Sequence, residues 1–106
     1  EAQVQEERRK GLHEVVELAA RFFEAELMGD RGGQARRYLA SRGLDGEART
    51  RFRLGYGPAE RFALRDHLAS KGVSAELMME AGLLVHGEEI AVPYDRFRDR
   101  IMFPIH

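Results

Sequence analysis

Three arginines at alternate positions, Arg96, Arg98 and Arg100, come closest in this sequence to residues whose type and spacing do chemistry. On an extended strand, alternate residues share a face and stand about 7 Å apart. That is of the order of the phosphate spacing along an extended single strand of nucleic acid, so three guanidiniums on one face match a polyanionic backbone. The spacing fits equally a surface strand whose arginines pair with Asp95, Asp99 and nearby glutamates, and spacing alone leaves both readings open. Arg42, directly before Gly43, carries a similar pair of readings. It is either a phosphate contact at a helix end or a cation complementing the C-terminal helix dipole.

Other constellations are weaker. Leu54-Gly55-Tyr56-Gly57-Pro58 is rich in glycine but lacks the G-x-G-x-x-G spacing of a dinucleotide loop, and its tyrosine reads as core rather than as a stacking surface. Asp95 and Asp99 stand four apart, which on one strand separates them by about 13 Å, too far to grip one metal ion. The four histidines, His13, His67, His86 and His106, are scattered, and His13 and His67 read as surface residues of helices. With no cysteine there is neither a disulfide framework nor a thiolate zinc site. No nucleophile, base and orienting acid stand together.

The formal net charge of −1 conceals a pattern. Residues 1–30 hold four basic and eight acidic residues (−4), residues 31–72 ten and four (+6), and residues 73–106 three and six (−3). A basic middle between acidic ends suits either a polyanion-binding groove or a solvated face. Fifteen of the seventeen basic residues are arginine, whose planar fork binds phosphate in a bidentate way and stacks on bases.

Helices must carry most of these groups. Leu12, Val15, Val16, Ala19, Phe22, Phe23 and Leu27 recur at helical spacing, with Gly29 and Asp30 as the stop, and residues 1–10 extend that helix or fray. Gly32-Gly33 breaks the chain before a second helix over Gln34–Arg42, with Ala35, Tyr38 and Leu39 inward and Gly43 as a left-handed cap. A third spans about Asp45–Phe52, a fourth Phe62–Lys71, and a fifth, capped by Ser74, runs to Ala81. The pattern then becomes a hairpin, Leu83–Val85 with Ile90–Val92, and a strand Phe97–Ile105 with arginines on one side and Phe97, Ile101, Phe103 and Ile105 on the other. The expected fold is α+β: a mostly helical body of about five helices, followed by a small, incomplete antiparallel sheet at the C-terminal end. At 106 residues the chain is the size of one domain, 1–106, with no apolar run long enough to span a membrane and no signal segment, which points to the cytoplasm. A first residue of Glu1 and an apolar ending at Met102–His106 read as a piece of a longer protein.

The segment Tyr94-Asp95-Arg96-Phe97-Arg98-Asp99-Arg100-Ile101-Met102-Phe103-Pro104-Ile105 resembles the signature at the start of the RNA polymerase core of bacterial replicative DNA primases of the DnaG type. Tyr38-Leu39-Ala40-Ser41-Arg42-Gly43-Leu44, Phe52-Arg53-Leu54-Gly55-Tyr56-Gly57-Pro58 and Ala81-Gly82-Leu83-Leu84 match the same family in the same order, so the resemblance runs from about Leu12 onward. It implies the N-terminal subdomain of the primase catalytic core, with a zinc-binding domain before it and a Toprim domain after it. Magnesium would then belong to Toprim and zinc to the zinc-binding domain, with no cofactor in this segment.

The resemblance further implies that Arg42, Arg96 and Arg98 occupy positions that contact template DNA, with Arg100 following by alternation, and that none of the residues is itself catalytic. The implied partners are single-stranded DNA template, the RNA–DNA hybrid, the Toprim domain of the same chain and, through the full-length protein, the replicative helicase. Primer synthesis would need Toprim, and the segment alone would be inactive. Many relatives carry a Gly-Trp pair shortly after the proline. Here Ala59-Glu60-Arg61-Phe62 stands in its place, with Arg61 or Phe62 as partial substitutes. The rival reading is a helical protein-interaction module that docks through its C-terminal strand, and a helix-turn-helix reader is disfavoured because the arginines gather on a strand.

Overall fold

The computed structural model describes residues 2–103. Its elements, in chain order, are α1 (Ala2–Met28), a 3₁₀ turn (Asp30–Gly32), α2 (Gly33–Ser41), α3 (Gly46–Arg51), β1 (Gly55–Gly57), α4 (Ala63–Ser70), α5 (Ala75–Glu80), β2 (Leu84–Val85), β3 (Tyr94–Asp95) and β4 (Arg100–Met102). Five helices and small antiparallel pairings make the expected mostly helical α+β architecture. No helix among the described residues is long and apolar enough to cross a membrane.

The chain forms two compact units. The first contains Glu1–Ala19 and Arg61–Arg96. Val15 and Ala19 of α1, Leu64 and Leu68 of α4, Met78 of α5, and Leu83 and Leu84 at β2 are its buried apolar residues. The i,i+4 steps from Val15 to Ala19 and from Leu64 to Leu68 put each pair on one helix face. β2 pairs antiparallel with β3, Leu84 opposite Asp95 and Val85 opposite Tyr94. The apolar pattern suggests Ile90–Val92 as the partner of Leu83–Val85, yet that segment is no strand, and the chain reaches Tyr94 before it pairs. Pro93 has no N–H to give a ladder, so pairing begins after it.

The second unit contains Ala20–Glu60 and Phe97–His106. Leu27, Ala35, Leu39 and Leu54 form its core, flanked by Leu44, Tyr56 and Ile101. β1 pairs antiparallel with β4, Gly55 opposite Met102, Tyr56 opposite Ile101 and Gly57 opposite Arg100. A Cβ on Gly55 would lie 2.6 Å from the Phe23 Cβ, and one on Gly57 would lie 2.6 Å from the Phe97 carbonyl, so both glycines answer to close approach. Gly43 ends α2 at φ +82°, the left-handed cap expected of it.

Two expectations change here. Residues 97–105 are not one strand: Asp99 sits at φ +51°, which interrupts the extended backbone, and only Arg100–Met102 are paired. Alternation survives at Arg100, exposed, and Ile101, turned to the core, whereas Phe103 is 62% exposed rather than inward. Ile105 lies outside the described residues. Tyr38, expected inward, is 51% exposed, because Ala35 and Leu39 take the buried stripe of α2 and Tyr38 falls on its flank.

Candidate nucleic-acid interface

The local structure sorts the arginines by what they already hold. In the second unit, Arg36 sends Nη1 to the carbonyls of Leu27, 2.6 Å, and Gly29, 2.7 Å, satisfying acceptors that the end of α1 leaves open. Arg31 pairs with Glu26 through two nitrogens and with Glu60 at 2.8 Å. Arg53 pairs with Glu24 at 2.9 Å, and Arg51 with Glu47 at 3.7 Å. Arg31, Arg36 and Arg53 are tied into the fold, whereas the Arg51–Glu47 pair is an exposed one within α3.

Arg42 and Arg100 differ. Arg42 follows the last turn of α2, its guanidinium 5.3 Å from the centre of the Tyr38 ring, with no carboxylate in ion-pair reach among the described residues. Arg100 leads β4 and is exposed; its Nε donates to the Arg98 carbonyl at 3.3 Å, and it too has no ion pair among the described residues. Arg98 is half-buried in the same unit. Between Arg98 and Arg100, the Asp99 carboxylate accepts a hydrogen bond from the Tyr56 hydroxyl at 3.1 Å, and the Asp99 N–H reaches the Pro58 carbonyl at 3.4 Å. Burial, and then the bond to Asp99, push the Tyr56 hydroxyl above its ordinary pKa. Tyr56 is therefore a structural residue, half-buried beside the core, as its setting among glycines suggests.

Arg96 belongs to the first unit. Its Nε donates to the Gly82 carbonyl at 3.1 Å and its Nη2 to that of Leu84 at 3.3 Å, so two of five guanidinium donors staple the end of α5 to β2. The arginine ladder of Arg96, Arg98 and Arg100 is thus not a row on one continuous strand. Asp95, 2% exposed, accepts from the backbone N–H groups of Leu64, 2.7 Å, and Arg65, 3.0 Å, and so caps the start of α4. Sequence reasoning misses that role because the capping residue lies some thirty positions away. Arg61 stacks on Tyr94 at 4.6 Å, and Arg65 lies 5.1 Å from the centre of the Phe62 ring, so both replacements for the family's aromatic pair are engaged within the first unit.

Among the described residues no three His, Asp or Glu side chains gather as a metal would require, so these residues do not fit a magnesium or zinc centre. What they offer is cationic. The second unit holds ten basic and seven acidic residues, a balance of +3, against seven and eleven in the first, −4.

The chain is similar to the DNA primase of Synechococcus elongatus, 44% identical over 108 residues, which takes in all of this chain and 16% of that protein. Among solved structures it resembles the RNA polymerase domain of Mycobacterium tuberculosis primase DnaG in complex with a double-stranded DNA oligomer carrying a 6-nucleotide overhang (34% identity, TM-score 0.83, 92% of this chain and 30% of that one). It also resembles the DnaG primase catalytic domain bound to single-stranded DNA (32% identity, TM-score 0.80, 93% and 32%). The chain therefore spans about a sixth of the length of that Synechococcus relative. The family model for the N-terminal domain of the DNA primase catalytic core matches residues 22–106, and to that family the chain belongs.

Proposed function

We propose that the chain is the template-positioning subdomain of a bacterial DNA primase, a DNA-directed RNA polymerase that makes short RNA primers for replication in the cytoplasm. Arg42, Arg96, Arg98 and Arg100 hold the phosphates of single-stranded template and of the nascent RNA–DNA hybrid. A Toprim domain of the same protein supplies the carboxylates and magnesium for nucleotidyl transfer, a zinc-binding domain precedes the segment, and the replicative helicase engages the full-length enzyme. None of the residues described here performs the bond-making step. Their work is electrostatic: each guanidinium that meets a phosphate releases a condensed counterion, which gives sequence-tolerant, salt-sensitive affinity.

The observation that carries this reading is that Arg42 and Arg100, in a unit of net charge +3, are exposed and hold no carboxylate among the described residues, while Arg31, Arg36 and Arg53 are taken up by the fold. The solved relative described as bound to single-stranded DNA supports it at the level of the family. Arg96 would act in part through the three donors that its two carbonyl bonds leave over. The test is fluorescence-anisotropy titration of labelled single-stranded oligonucleotides of several sequences. Alanine at Arg42 or Arg100 should weaken binding by about the same factor on every sequence, as phosphate contacts do. Unchanged binding in all four single alanine variants would overturn the assignment, and so would ribonucleotide polymerisation by the chain without a Toprim domain.

A further inference from the structure

Tyr38 is the residue of α2 whose setting core packing does not explain. Half of it is exposed, while Ala35 and Leu39 meet the core's needs from the other side of the helix. Its ring is already paired with a cation, Arg42, one helical turn on and 5.3 Å from the ring centre. Side chains on a helix lean toward its N-terminus, so Arg42 is carried back over Tyr38, and Gly43, at φ +82°, ends the helix before another turn can cover the pair. The Ser41 hydroxyl donates to the Tyr38 carbonyl at 2.6 Å, fixing the local helix end. The nearest acid in the chain, Asp45, turns its carboxylate to the Ala48 N–H as the cap of α3, and Arg42 has no ion pair among the described residues.

We propose that Tyr38 and Arg42 form a stacking platform for one nucleobase of single-stranded DNA, with the edge of the Arg42 guanidinium turned to an adjacent phosphate. This rests on the template-positioning reading above and adds to it a residue that grips a base rather than a phosphate. An aromatic face and a guanidinium plane each stack on any base, and Arg42 retains its N–H donors for phosphate oxygens. The platform is indifferent to sequence but requires that bases be present.

The requirement for a base supplies the experiment. A labelled thymidine oligonucleotide and a copy with abasic sites, which keeps every phosphate, are titrated by anisotropy against the chain, Tyr38→Ala and Tyr38→Phe, with circular dichroism confirming that each is folded. Tyr38→Ala should bind the normal strand about tenfold more weakly, and Tyr38→Phe within about twofold of the original. The original chain should lose about the same tenfold on the abasic strand, whereas Tyr38→Ala should barely distinguish the two strands. Equal affinity of Tyr38→Ala and the original chain, or a Tyr38→Phe as weak as Tyr38→Ala, overturns the platform and leaves the phosphate contacts standing. Undiminished binding of the abasic strand by the original chain overturns it without recourse to any variant. No binding of either strand by the folded original chain overturns the template-positioning reading itself, and the platform with it.

Discussion

At the scale of single residues, what distinguishes this chain is how its arginines are engaged. Arg36, Arg31 and Arg53 are held by carbonyls or carboxylates of other elements, while Arg42 and Arg100 have no such anchor, although all are one residue type in one basic stretch or motif. The sequence could nominate Arg42 and Arg100, but it could not separate them from Arg36, because the acceptors of Arg36 lie at the end of the preceding helix. Tyr56 allows a prediction at this scale. Its hydroxyl is pushed upward by burial and by the bond to Asp99, so the folded chain holds that proton more tightly than the unfolded chain does. The resulting stability is whole below the ordinary tyrosine pKa of about 10 and is lost as pH rises from there through the folded value. Ultraviolet titration of the phenolates should therefore show one of the three tyrosines ionising late, and Tyr56→Phe should remove that component. Alkaline unfolding of Tyr56→Phe should lack the corresponding pH-dependent step. A late ionisation that persists in Tyr56→Phe would refute the assignment.

At the scale of elements, local signals worked where a helix starts or stops by its own side chains. Asp45 accepts from the Ala48 N–H at 2.9 Å, and Ser74 from the Leu77 N–H at 3.2 Å, the caps that their residue types announce. Local signals failed where a distant segment does the same work. α4 begins at Ala63 without a cap from its own flank, and the buried Asp95 of β3 supplies it. Asp95→Ala should therefore destabilise the first unit by about 2 kcal/mol, since it removes a charged cap and leaves two backbone donors unmet. Asp95→Asn, which keeps one acceptor oxygen, should cost roughly half of that. Urea unfolding followed by circular dichroism measures both, and equal stability of Asp95→Ala and the original would show that α4 needs no such cap. By spacing alone, Asp95 reads as one of two acids beside the arginine ladder. In the fold it is buried, 2% exposed, and accepts from two backbone donors at the start of α4, work that its spacing does not announce.

At the scale of the whole molecule, charge is divided between the units, +3 in the second and −4 in the first, although the chain totals −1. If the second unit grips phosphates, the slope of log affinity against log salt should fall in magnitude by about 0.7 in Arg42→Ala and by about 0.7 in Arg100→Ala, with the two effects additive in the double variant. Salt titration of single-strand binding checks this, and an unchanged slope would refute phosphate binding at that residue. The sequence by itself determined the helices, the caps at Ser74 and Gly43, the mostly helical α+β class and the family, because periodicity, capping and motif order are local properties of the chain. Tertiary structure alone decided that β2 pairs with β3, that Asp99 at φ +51° breaks the arginine row, that Asp95 caps α4 and that Tyr38 faces water. Each of these depends on which distant backbone groups or core positions are already occupied, and residue spacing carries no record of that.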